Sequence, residues 1–411
     1  MKIPDSAEIT QPFWLKEPSE YGSFNIADQQ LIGRADSKPA LSAIFNIAIE
    51  GKIFTFNIPV KYRWNDPTKG ESYRPLVIQP AISIRISQPV YVFESSKSKP
   101  VDIRVENHAN QFQGRLKLEL PSGWQCQPEN HEITFKPGET IKNVTFQLTP
   151  SKMQSRETVT AVVESGARKY DKTIHIIDYD HIPVQTVFEE ARAEVIRLNI
   201  KTEGERIGYI MGSGDEIPQA LEQIGYKVDL LSDKDIESGD LSKYDAIVCG
   251  VRAFNTRKAL QFLQARIIDY VKKGGVWIVQ HNTRFGYRPD KIGPYNFKIG
   301  RDRIADETVK LSFIDPSHPL LNIPNKISQK DFDGWVQERG LYFADDWDGV
   351  FQPILEGRDK GESVKRGALL YAEYGKGVFI YSGLSFFRQL PAGVPGAYRL
   401  FVNMIAAGKT D

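Results

Sequence analysis

Apolar and polar residues alternate along the first half of the chain. From Phe54 the positions Phe54, Phe56, Ile58, Val60, Tyr62 and Trp64 keep a strict period of two, with mostly polar residues between them. That pattern predicts one half-buried strand. Ile47 and Ile49 lead into it through Glu50-Gly51-Lys52, which reads as a hairpin turn. Shorter alternating runs follow at Ile82/Ile84/Ile86, Val101/Ile103/Val105, Leu116/Leu118/Leu120 and Val144/Phe146/Leu148, separated by turns such as Pro121-Ser122-Gly123 and Lys136-Pro137-Gly138. Short strands at this spacing predict a β-sandwich of the Ig-like kind.

The pattern changes after Ile177. Val187 to Glu194 is rich in charge and free of Gly and Pro, and reads as a linker helix. Strands and helices then alternate: a strand at 206–211, a helix at 216–224, strands at 226–231 and 246–249, a helix at 256–273, and a strand at 276–280. The 256–273 helix carries Leu260, Leu263, Ile267 and Val271 on one face and stops at Gly274-Gly275. This order predicts a parallel sheet covered by helices. Two strands flank Gly375-Lys376 as a hairpin, and a last helix spans about 397–407. The expected architecture is multidomain: a β-sandwich N-terminal half followed by an α/β, flavodoxin-like domain. The expected divisions are a partial β domain over 1–79, the sandwich over 80–178, a linker helix over 179–200 and the α/β domain over 201–411. The first segment has few clear strands and reads as part of a domain whose first strands lie upstream of Met1.

The chain has 411 residues, enough for two or three domains. Its 53 basic and 52 acidic side chains leave a formal net charge of +1. A balanced chain has no global field to attract nucleic acid, so no nucleic-acid partner is expected. No stretch approaches the ~20 apolar residues of a membrane span, and the first residues lack the apolar core of a signal peptide. Cys126 and Cys249 fall in different expected domains, which argues against a disulfide between them and leaves the redox compartment open.

Candidate chemistry is sparse. Gly212-Ser213-Gly214-Asp215 follows a strand and opens a helix, where free amides can hold an anion. The dinucleotide fingerprint needs another glycine where Ile217 stands, so a tight turn with Ser213 or Asp215 as helix cap is the preferred reading. Arg252 and Asn255 follow one expected strand, and His281, Asn282 and Arg284 follow the next. Ligands in open α/β sheets bind beyond the carboxyl ends of strands, so these five residues are the candidate ligand site. The alternative is that His281 and Asn282 only hydrogen-bond the loop backbone. Cys249 lies inside an apolar run and reads as core, not as a nucleophile. None of the six histidines is spaced as a metal pair, so no metal site and no cofactor is expected. Trp124 reads as core, and Asn143-Val144-Thr145 is a glycosylation sequon by pattern only. Residues 331–347 are dense in aromatics and acids, which suits either a sugar platform or an ordered packing loop.

Several strings together carry a family resemblance. They are Tyr62-Arg63-Trp64-Asn65-Asp66-Pro67, Gly208 to Asp215, Tyr244 to Asn255, Asp333 to Gly340, and Leu384-Ser385-Phe386-Phe387-Arg388. Collectively they resemble the C-terminal region of large bacterial PIG-L (LmbE-like) deacetylases. In that family an N-terminal zinc domain with a His-Pro-Asp-Asp string removes N-acetyl groups from sugar derivatives. Here the one His-Pro pair, His318-Pro319, continues as Leu320-Leu321. The resemblance therefore implies the accessory region of such an enzyme without its catalytic residues. It also implies an upstream deacetylase domain as partner, a carbohydrate ligand, and a periplasmic or secreted location. The segment with Pro121-Ser122-Gly123-Trp124 is similar to β-sandwich modules found beside glycosidases. The C-terminal domain is similar to class I glutamine amidotransferase-like and ThuA-like domains. Amidotransferases place a nucleophilic Cys where this chain has Gln280-His281-Asn282, which argues against glutaminase activity.

Two other readings stay open. One is a stand-alone ThuA-like enzyme acting on a sugar, with His281 as acid/base and Arg252 and Asn282 fixing the substrate. It requires a buried His281 beside a carboxylate. The other is a purely structural surface module.

Overall fold

The computed structural model describes residues 7–19, 22–285 and 291–408. The chain is a multidomain, β-rich protein with several separate sheets. It divides into two compact units. One comprises the described residues of Met1–Pro89, Ser98–Thr149 and Glu157–Glu194; the other comprises Val90–Lys97, Pro150–Arg156 and those of Val195–Asp411.

The first unit opens with two antiparallel hairpins. Ser42–Ile49 pairs with Lys52–Pro59, and Lys61–Asp66 pairs with Gly70–Pro75. The single strand expected from Phe54 to Trp64 is thus two strands, broken near Pro59, whose ring removes a ladder donor. Nor is it half-buried: Phe54, Phe56 and Ile58 are 45%, 49% and 52% exposed. Beyond the hairpins, two antiparallel sheets bury their alternating residues. One runs Ile82–Ile86, Lys99–Asn107, Ile141–Thr149, Gln125–Gln127; the other includes Asn130–Phe135, Phe112–Glu119 and Ser155–Ser165. Val101, Ile103, Val105, Phe146 and Leu148 line the first, and Leu116, Leu118, Ile133 and Phe135 the second. His131 of the second sheet lies edge-on to Phe146 of the first, with ring centroids 4.7 Å apart. Trp124 is buried.

The linker helix expected over 179–200 is not a helix. Gln185–Glu190 is a strand paired with Lys172–Ile177, and Arg192–Arg197 is another strand. The reason lies in a period of two. Ala191, Ala193 and Val195 are buried while Arg192 is exposed and Glu194 half-buried, so one face of an extended chain meets the core. Absence of Gly and Pro permits a helix but does not demand one.

The second unit is built on a seven-stranded sheet in the order Lys227–Leu230, Arg206–Ile210, Ala246–Cys249, Val276–Gln280, Gly377–Ser382, Leu369–Tyr374, Gln352–Pro353. The first five strands are parallel; Leu369–Tyr374 runs antiparallel to them, and Gln352–Pro353 pairs antiparallel with it. Successive residues enter opposite cores. Tyr209, Val248, Ile278 and Ile380 pack on one side with the helices Ile217–Gln223 and Pro395–Ala406. Ile247, Cys249, Trp277, Val279 and Phe379 pack on the other with Leu260–Lys272. Burial on both faces explains the continuous apolar runs of these strands. The chain passes from Arg206–Ile210 to Lys227–Leu230 and then returns to the far side of its first strand, so the strand order reverses between Arg206–Ile210 and Ala246–Cys249.

Candidate functional site

The loops after the parallel strands meet at that reversal. Gly212 passes so close to the next loop that an added Cβ would lie 2.1 Å from the Val251 carbonyl oxygen. Ser213 donates its backbone N–H to that oxygen at 2.9 Å. Asp215 accepts from the Tyr209 hydroxyl at 2.6 Å, from the Ile217 N–H and from the Val251 N–H. These contacts close the base of the crevice. The helix that follows begins at Ile217 with Glu216 at its cap position and no side-chain cap bond from it; Asp215, one residue before that position, accepts from the first helical N–H, and Ser213 does not cap the helix.

Gln280 ends the central strand. Its amide donates to the Tyr209 hydroxyl at 3.1 Å, completing a Gln280–Tyr209–Asp215 relay. Burial, and then the charge of Asp215, raise the Tyr209 pKa. The Gln280 Oε1 and the Nδ1 of the next residue, His281, are buried with no hydrogen-bond partner among the described residues.

His281 is 4% exposed. Its ring stacks on Tyr342 at 5.8 Å and leans on Phe387 at 5.3 Å. Burial lowers its pKa to about 4, helped by the positive charges of Arg252 and Arg388. It is therefore a neutral imidazole at pH 7, and no carboxylate contributes to its shift. Arg252 lies beside it: the Arg252 N–H donates to the His281 carbonyl at 2.9 Å, and Arg252 takes φ +59°. Tyr342 and Gln337 also take positive φ, at +53° and +67°. A non-glycine residue there carries roughly 1–3 kcal/mol of strain, and such positions gather at functional sites.

The five candidate residues separate into two kinds. Asn282 is fully buried; its Oδ1 accepts from the Phe254 N–H at 2.9 Å and its Nδ2 donates to the Gln280 carbonyl. Asn255 accepts from the Thr283 N–H and donates to the Thr283 carbonyl. Both asparagines bind loop backbone, the plainer of the two readings of such residues. Arg252 and Arg284 keep exposed side chains, and His281 lies below the surface between its two rings.

A cleft of about 530 Å³ opens over the strand ends, lined by Gly214, Asp215, Glu216, Gln337, Phe387 and Arg388, with Val336 and Pro391. Sequence reasoning missed Gln337, Tyr342, Phe387 and Arg388. Phe387 and Arg388 belong to the short helix Phe386–Gln389, and Arg388 bonds Glu338 at 3.1 Å. Phe387 is half-buried, its ring shared between His281 and the cleft.

The remaining candidates are structural. Cys249 is fully buried, burial raises its thiol to about 12, and the Trp277 N–H donates to its sulfur. In the aromatic, acidic segment Phe332 and Trp335 point into the core, and Arg339 lies over both rings at 5.7 and 5.5 Å. Asn143 is exposed on a sandwich strand. Among the described residues no group of three or more His, Cys, Asp or Glu is placed to hold a metal. No described helix is long and apolar enough to cross a membrane.

No family model matches the chain, and no curated protein does. Among solved structures it is similar to the β-galactosidase from Rahnella sp. R3, at 15% identity over 48% of this chain and 31% of that one, with a TM-score of 0.29. It is similar to the apo Calx CBD1 domain at 10% identity, covering 29% of this chain and 98% of that one, with a TM-score of 0.18. A family 123 glycoside hydrolase from Clostridium perfringens matches at 8% identity over 49% of this chain and 38% of that one, also at 0.18. The chain spans about a third of the galactosidase, 31% of its length.

Proposed function

We propose that this chain is a binding and scaffolding region with no catalytic constellation of its own, and that its α/β unit holds a carbohydrate in the cleft over the strand ends. The observation that carries this reading is the make-up of that cleft. The half-buried ring of Phe387 lines it together with Glu216, Gln337 and Arg388, whose guanidinium lies over the ring at 4.7 Å. Sugars present an apolar C–H face together with a fan of hydroxyls. A lining that combines an aromatic ring with a carboxylate, an amide and a guanidinium suits both. The position, outside the carboxyl ends of parallel strands where their order reverses, is the ordinary ligand position of such sheets.

On this reading the sandwich is Ig-like and spaces the molecule, and the α/β unit is flavodoxin-like, of the amidotransferase-like and ThuA-like kind. The resemblance of its strings to PIG-L-like deacetylases supports reading the region as an accessory to an N-acetyl-sugar deacetylase, supplied upstream or in trans. The stand-alone enzyme is the weaker reading, because the charges acting on His281 are Arg252 and Arg388 and not a carboxylate.

Calorimetric titration of the full chain with N-acetylglucosamine and its β-linked oligomers tests the ligand. Binding is expected, weakened at least tenfold by Phe387→Ala and by Gln337→Ala. Absence of heat with every sugar, or binding indifferent to both substitutions, would overturn the site. The DNA upstream of the Met1 codon tests the partner: a His-Pro-Asp-Asp domain in frame or in the neighbouring gene is expected, and its absence removes the accessory role.

A further inference from the structure

The Ser42–Ile49 and Lys52–Pro59 hairpin carries an apolar face that nothing described covers. Its register sets Ala43 opposite Ile58, Phe45 opposite Phe56 and Ile47 opposite Phe54, with Ile49 next to the turn. Side chains alternate across a strand, so these residues share one side. Phe45, Ile47, Ile49, Phe54, Phe56 and Ile58 are between 45% and 56% exposed. The opposite side is mixed: it carries Ile44 and Ile53, 65% and 72% exposed, between the polar residues Ser42, Asn46, Thr55 and Asn57, of which the Thr55 hydroxyl donates to Asn46 at 2.8 Å. Among the described residues the two strands pair only with each other, as a separate two-stranded sheet. An isolated hairpin is marginal in water and needs either more strands or a packed face.

Area and charge decide what covers it. Half of six large side chains exposes roughly 600 Å², at the upper limit of the largest apolar patch on an ordinary monomer. Two such faces together bury about 1,200 Å², the lower limit of a specific interface. The only charge on this side is Lys52, beside the turn, where its ammonium reaches water. The rungs Ala43/Ile58, Phe45/Phe56 and Ile47/Phe54 hold an apolar residue on both strands, so the face is complementary to itself and, with Lys52 at its edge, can be closed without stranding a charge. We propose that the hairpin is a homodimer interface, two copies of this chain stacking their Phe45/Phe56 faces about a two-fold axis. This assignment is independent of the cleft in the α/β unit.

Sedimentation of the full chain over a wide concentration range tests it. A reversible dimer is expected. Phe45→Glu or Phe56→Glu, which set a carboxylate in the middle of the face, should weaken it at least a hundredfold. Thr55→Glu, on the opposite side of the same hairpin, should leave it unchanged. Hydrogen exchange of the unsubstituted chain should slow across 42–59 as the dimer forms, a readout that needs no variant to fold. A chain that stays monomeric at every concentration overturns the proposal and leaves the face to a different polypeptide. A dimer that persists in both glutamate variants, or forms without protecting 42–59, overturns it as well.

Discussion

The His281 ring lies 5.8 Å from the Tyr342 ring and within 23° of parallel to it. With Phe387 on a further side, the imidazole sits in a largely apolar slot, and the positive charges of Arg252 and Arg388 add to the cost of protonating it.

That slot predicts an acid sensitivity of known sign. The ring titrates near 6.5 in an unfolded chain and near 4 when folded. Between those values the unfolded state binds a proton that the folded state refuses, so stability rises with pH across the window. It is present in full above 6.5 and is lost as the pH falls to 4, by about 3 kcal/mol in all. His281→Phe fills the slot without titrating and should flatten this slope. Burial lowers His108 and His318 in the same direction, so the measurement is the difference between urea midpoints of variant and parent at pH 7 and pH 4.5. Equal slopes in the two proteins would refute the assignment.

The Tyr209 hydroxyl has two tasks, donating to Asp215 and accepting from Gln280. Tyr209→Phe removes both. The Gln280 amide already has an unpartnered oxygen, and it would lose a partner for its nitrogen too. A loss of about 2–3 kcal/mol is expected, more than a single neutral hydrogen bond contributes. Adding Gln280→Leu should recover part of it by removing the stranded amide. Additive losses in this double-mutant cycle would mean the two residues are not coupled.

The Arg399 Nε and Nη2 both reach the Asp331 Oδ1, at 2.6 Å. Their side chains are 17% and 4% exposed. Asp331 Oδ2 accepts from the Ser328 N–H and hydroxyl, which caps the short turn Gln329–Phe332. Arg399→Met leaves a buried carboxylate with only its cap bonds, and should cost about 3 kcal/mol. Thermal and urea unfolding measure it. A change below about 1 kcal/mol, the range of exposed pairs, would show that the pair is solvated in solution.

Much of the sheet was legible because strands buried on both faces write unbroken apolar runs, as in Ala246–Cys249 and Val276–Gln280. Chain order alone brought Arg252 and His281 to neighbouring strand ends, and their backbones touch there. The roles of Asn255 and Asn282 were not legible, since the same amide can meet a ligand or a loop and only its partners decide. Gln337, Tyr342 and Phe387 come from loops and a four-residue helix distant in sequence. Two of them adopt positive φ without the Gly that would have announced it. Residues 187–194 have a composition that also suits a helix, and it is the alternating burial of Ala191, Ala193 and Val195 that makes the segment extended.

The left-handed turn at Arg252 separates strain from function. Its φ is +59° and its N–H is committed to the His281 carbonyl. Glycine reaches that conformation without steric penalty but loses more entropy on folding, so Arg252→Gly should change stability by less than about 1 kcal/mol. Valine is branched at Cβ, and Arg252→Val should destabilise by about 2 kcal/mol. Because the exposed guanidinium also helps to keep His281 neutral, Arg252→Gly should raise the His281 pKa, visible in the NMR titration of its ring protons. An unmoved titration would mean that burial alone sets the charge state. A destabilising glycine would mean that the Arg252 side chain, and not its backbone turn, holds the loop.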